Sequence, residues 1–124
     1  MPWVLRYIDD LKIVHTIYTQ PVSLDELREA VAANAKLAAE KDTNLFLGDC
    51  STFVQSGPTL DIYQLGTFIA SMNDQFNIKE ALVVPQEPST VAEDFRFFET
   101  VANNRSLNVR LFHDVESAIE WLLE

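Results

Sequence analysis

The chain of 124 residues has one cysteine, three glycines and no apolar run longer than a few residues, and each shortage removes a class of protein. A single cysteine forbids an internal disulfide and suits a reducing cytoplasm, which is the expected location. Gly48, Gly57 and Gly66 lie too far apart to form a glycine-rich phosphate loop. The fully apolar stretch Ala81–Val84 is far too short to span a membrane. The start, MPWVLRYIDD, lacks the basic residues followed by an apolar core that mark a secretion signal. Basic residues are scarce too: nine Lys and Arg stand against nineteen Asp and Glu, for a net charge of −10. Nucleic acid and anionic lipid need a basic footprint, so neither is an expected partner. His15, His113 and Cys50 have no metal-ligand spacing, and neither a metal nor another cofactor is expected.

What is present is an ordered alternation of elements. Trp3–Ile8 and Leu11–Tyr18 are rich in β-formers and flank Asp9-Asp10, which reads as a hairpin with a two-residue turn. His15 falls on that hairpin, at a surface or edge position. Ser23 and Glu26 have the spacing of a capping box, and a helix follows to about Lys41 with Leu24, Leu27, Val31, Ala35 and Ala38 along one stripe. Its many alanines would let it lie close to a sheet. Leu45–Leu47 reads as a strand buried on both faces, leading through Gly48-Asp49 into a polar loop, Cys50–Gly57. Pro58 suits the first turn of a second helix, which carries Leu60, Ile62, Leu65 and Ile69 and ends near Asn73. Ala81–Val84 is the next strand. Thr90 and Glu93 form a second capping box ahead of a helical face of Val91, Phe95, Phe98 and Ala102. Val109–Phe112 is the last strand, and Asp114 caps a final helix with Val115, Ala118, Ile119 and Leu122. The reading is one α/β domain over residues 1–124, ordered β-β-α-β-α-β-α-β-α, with a mixed sheet, parallel central strands and packed helices.

This order, the strand-loop-helix corner Asn44–Met72 and the ending NVRLFHDVESAIEWLL resemble the STAS domains, in particular the SpoIIAA-like family of anti-sigma-factor antagonists. The resemblance covers essentially the whole chain. It implies the SpoIIAA-like fold and a bacterial, non-enzymatic regulatory domain that binds a protein partner, such as a regulatory kinase; a homodimer is compatible with it. In that family a serine in the loop before the second helix is phosphorylated. Here Asp49 matches the strand-end acid and Ser56-Gly57 the closing Ser-Gly, while the loop is shorter, Gln55 stands where the family has an acid, and Pro58 follows. Ser56 is the first phosphorylation candidate and Ser51 the second, each with a plainer reading as a helix cap or loop hydroxyl. The implied partner surface comprises Asp49, Thr52, Phe53, Gln55, Gly57, Thr59 and Tyr63.

Two other readings remain open. Phe95, Phe97, Phe98 and Trp121 could line an apolar pocket, and the SpoIIAA-like fold is similar to the lipid-binding CRAL-TRIO fold. The alternative function is therefore a carrier or sensor that holds a small apolar, lipid-like ligand between helices and sheet. Phenylalanines at helical spacing are otherwise ordinary core. An enzyme using Cys50 with His113 and Asp114 is the lesser alternative, because Asp49 beside Cys50 disfavours a thiolate. No catalytic residue is assigned.

Overall fold

The structure is a computed structural model. It describes residues 3–19, 23–51, 78–84 and 108–124, together with 96, 99, 100 and 103. The second helix, most of the third and the loop beyond Ser51 lie outside the described residues.

Five strands form one mixed sheet in sequential order: β1 (Trp3–Ile8), β2 (Ile13–Tyr18), β3 (Leu45–Asp49), β4 (Lys79–Val83) and β5 (Asn108–Phe112). β1 and β2 pair antiparallel, with Trp3 opposite Tyr18 and Ile8 opposite Ile13. β2, β3, β4 and β5 then run parallel in an unbroken register: Val14, Phe46, Glu80 and Val109 align across the sheet, and so do Thr16, Gly48, Leu82 and Leu111. The expected α/β class and mixed sheet with parallel central strands agree with this architecture.

Two helices are described. The first, α1 (Leu24–Lys41), starts as its sequence demands: Ser23 Oγ accepts from the Glu26 amide at 3.2 Å, and the Glu26 carboxylate accepts from the Ser23 amide at 2.9 Å. It ends at Asp42, whose left-handed backbone lets its amide reach the carbonyls of Ala38 and Ala39. The second, α2 (Val115–Leu122), is capped by Asp114, whose Oδ1 accepts from the Ser117 amide at 2.7 Å. That hydrogen bond, which favours the charged carboxylate, holds the pKa of Asp114 below the usual range.

The helices cover opposite faces. Side chains alternate along each strand, so Val14, Tyr18, Phe46 and Leu82 meet Leu27, Ala30 and Ala38 of α1. Ile13, Leu47, Ala81 and Val83 meet Ala118 and Leu122 of α2. Central strands sandwiched in this way must be apolar on both faces, which is why β3 and β4 carry nearly continuous hydrophobic runs. At the edge strand β5, the Glu99 carboxylate accepts from the outward amide of Leu111 at 3.0 Å and occupies a group that another strand could otherwise pair with.

Three sequence expectations need correction. The hairpin turn spans four residues, Asp9–Lys12, because Lys12 adopts a left-handed conformation (φ 57°) and Leu11 bonds back to Ile8. The Lys12 carbonyl is held by the Thr43 hydroxyl at 2.5 Å, which ties the turn to the start of β3. His15 is not at an edge, since β2 lies between β1 and β3. Strand β4 begins two residues earlier than its apolar run, at Lys79.

Leu47 is 1 % exposed at the centre of the second face. Leu47→Ala is expected to lower the free energy of unfolding in urea by about 2–5 kcal/mol, whereas Val4→Ala, at an exposed position, should change it by less than about 0.5 kcal/mol.

Candidate functional site

A hollow among the described residues lies between α1 and the sheet. Val31, Asn34 and Ala35 of α1 form one wall. Thr16, Tyr18, Phe46, Gly48, Glu80 and Leu82 of the sheet, with Ile78 before β4, form the floor and the other wall. The cleft holds about 540 Å³ of empty space counting its open mouth.

Small residues on both sides create it. Ala35 faces the sheet with a single methyl group, and Gly48, directly between Thr16 and Leu82 in the register, offers none. A Cβ on Gly48 would come within 2.7 Å of Leu82 Cδ2, so the leucine leans into the space that glycine leaves. Thr16 is 2 % exposed and donates from its hydroxyl to Asn34 Oδ1 at 2.8 Å. Asn34 Nδ2 in turn donates to the Ala30 carbonyl at 2.7 Å. This chain fixes the Asn34 amide at the cleft wall and leaves one of its N–H donors and lone pairs on Asn34 Oδ1 and Thr16 Oγ for a further partner.

Glu80 is the unusual member. It is flanked by Phe46 and Val109 across the sheet and shares its face with Leu82. The residue is half-buried, its carboxylate oxygens are not shut off from solvent, and among the described residues nothing donates a hydrogen bond or a positive charge to it. Burial alone pushes its pKa up to about 7. Its charge, when present, reaches Cys50 and Tyr18. Burial first and Glu80 second raise the Cys50 thiol, while Tyr18 is raised by burial and then by Cys50 and Glu80. The cleft thus holds a carboxyl and a phenol, with the Cys50 thiol outside its lining, and all three are more readily neutral than usual.

The residues expected to carry function fall elsewhere or outside the described set. At the end of β3, Asp49 Oδ1 accepts from the Ser51 amide at 3.1 Å and from the Ser51 hydroxyl at 2.7 Å. The exposed Ser51 candidate is therefore engaged with a carboxylate, and a phosphate there would meet that negative charge. Thr52, Phe53, Gln55, Ser56, Gly57, Thr59 and Tyr63 lie outside the described residues, as do Phe95, Phe97 and Phe98. Trp121 does not line the cleft: it packs on Phe112 on the opposite face, ring centroids 5.7 Å apart, with the Lys79 ammonium 4.7 Å above its ring. Cys50 and His113 are not brought together either. β4 runs between their strands, Cys50 is buried on the α1 face, and His113 Nδ1 lies 3.4 Å from the Val84 carbonyl at an exposed position. His15 points to the other face, where its buried Nε2 has no partner among the described residues. Burial lowers its pKa, Asp49 opposes that, and Arg6 adds to it. No group of three or more metal-ligating side chains occurs among the described residues. None of the described helices is long and apolar enough to cross a membrane.

Thr16, Asn34, Gly48 and Glu80 were not singled out by sequence, yet one signal pointed to Glu80. Ala81–Val84 is apolar on both faces, so the strand is buried on both sides, and alternation puts Glu80 on the face of Leu82. No protein-family model, no curated protein and no solved structure matches the chain.

Because the Glu80 carboxyl is raised from 4.5 to about 7, its neutral form imposes no penalty below about pH 4.5, and the stability tied to that form is lost as pH rises through about 7. Glu80→Gln should therefore gain stability relative to the parent as pH rises from about 4 to about 8, by about 2 kcal/mol after allowing for partial exposure. Urea titrations at both pH values test this. Cys50 should react with iodoacetamide on the order of a hundredfold more slowly in the native protein than in the unfolded chain; rapid native alkylation would instead indicate an activated thiol.

Proposed function

We propose that this chain is a non-catalytic regulatory or carrier domain that takes up a small molecule with an apolar body and one polar end in the cleft beneath α1. The observation that carries the reading is the Glu80 carboxyl, which has no partner among the described residues and sits in a cleft otherwise walled by Val31, Ala35, Phe46, Ile78 and Leu82. Apolar clefts with a few convergent polar groups are the usual form of small-molecule sites. A polar group left unsatisfied in such surroundings is destabilising unless a ligand or solvent completes it. A thiol held neutral at Cys50 and a histidine exposed beyond the next strand favour binding over nucleophilic chemistry.

The resemblance to SpoIIAA-like domains fits the same reading. An antiparallel first pair followed by parallel strands is the kind of sheet it implies, and its partner-binding loop, residues 49–57, begins one residue after Gly48 on the cleft floor. We take the finer SpoIIAA-like topology as part of the proposal. Ligand uptake over Gly48 would then adjoin the surface offered to a protein partner, with Ser56 as the site where added charge gates that contact.

A neutral probe tests the cleft itself. Benzyl alcohol at about 1–10 mM should shift the backbone amide resonances of Thr16, Gly48 and Leu82. Ala35→Phe, whose ring would fill the cleft, should abolish those shifts while the protein remains folded. Absence of shifts in the parent protein would overturn the reading.

A further inference from the structure

We propose that the ligand of this cleft is a small monoamine, bound as its ammonium ion by the Glu80 carboxylate with its apolar body against Phe46 and the α1 wall. The inference rests on the binding reading above and adds the chemical class of the ligand.

Three observations lead to it. First, the polar groups of the cleft offer acceptors. The Glu80 carboxylate accepts only, and both Thr16 Oγ and Asn34 Oδ1 keep lone pairs after their mutual hydrogen bond. An ammonium group brings three N–H donors and no acceptor, so it matches this set.

Second, the charge balance in the cleft is one-sided. From β2 the titratable group lining it is Tyr18, β3 contributes only Phe46 and Gly48, and the polar lining of α1 is the neutral Asn34. β5 places Val109 beside Glu80. Each of these groups is neutral or becomes negative on ionising. The nearest cation in sequence, Lys79, is directed to the other face of the sheet, where it lies over Trp121. Arg110 likewise lies over Phe112 on that face, 5.6 Å from ring centroid to guanidinium carbon. A carboxylate in an apolar cleft favours a counter-charge, and among the described residues none is set against this one: Arg28 of α1 lies outside the cleft lining, its Nη1 3.9 Å from Asp25 Oδ1.

Third, Phe46 and Tyr18 line the cleft. Aromatic faces attract cations, more so when desolvated. An anionic ligand would be repelled by the Glu80 carboxylate, with the remaining Asn34 N–H as a donor to it.

The test compares three probes of nearly one shape, benzylamine, benzyl alcohol and benzoate, by amide chemical-shift titration of the parent protein and of Glu80→Gln. Benzylamine is expected to bind about tenfold or more tightly than benzyl alcohol, and benzoate weakest. Glu80→Gln should remove the preference for the amine while retaining benzyl alcohol, which shows that the cleft is still formed. As Glu80 titrates at about 7, benzylamine affinity should rise about tenfold between about pH 6 and about pH 8, and the Gln variant should show no such rise. If the amine and the alcohol bind equally, or benzoate binds best, the amine proposal is overturned and the cleft reading stands. If no probe shifts the cleft amides, both fall.

Discussion

Burial of the central strands from both sides is the constraint on which the rest of this structure depends. β3 and β4 have α2 on one face and contribute Phe46 and Leu82 to the core shared with α1 on the other, so a polar side chain on them meets largely apolar surroundings. It also fixes the character of the covering helices. α1 lies against β1 and β2 and shares a core with Phe46 and Leu82, and it approaches the sheet with alanines: Ala30 and Ala38 have no exposed surface. Close approach is possible only because those side chains are small.

The same small side chains explain the cleft. Where Ala35 meets Gly48, neither side supplies enough volume to close the interface. Protein interiors rarely tolerate such a gap beside a well-packed core, and here it coincides with the one carboxyl group facing α1 from the parallel strands. Gap and acid come from adjoining rows of the sheet, Thr16–Gly48–Leu82 and Val14–Phe46–Glu80. Neither feature helps packing. A side chain at Gly48 would collide with Leu82, whereas an apolar residue in place of Glu80 would suit the surrounding core better.

Much of the fold was legible because it is local. The Ser23–Glu26 capping box and the Asp114 cap depend on residues three apart, and both helices start where the sequence places them. The alternation of strand and helix likewise follows from runs of a few residues. What could not be read depends on pairing. The turn Asp9–Lys12 gave no glycine to announce its left-handed residue. Cys50 and His113 lie at comparable strand ends, but only the strand order puts β4 between them. Glu80 precedes the apolar run that marks β4, so it read as lying before the strand; its place beside Phe46 is a matter of register. The cleft needs a helix alanine and a strand glycine to meet across the interface, and no spacing within either segment encodes that meeting.

The position of α2 in the chain has a further consequence, for biosynthesis. Ile13, Leu47, Ala81 and Val83 acquire their helical cover from Ala118 and Leu122, which are translated after all five strands. The α1 face has no such delay, since that helix is made between β2 and β3. A nascent chain carrying the complete sheet would therefore still present one bare apolar face, and a ribosome stalled just before residue 115 would hold a species prone to aggregation and suited to chaperone capture.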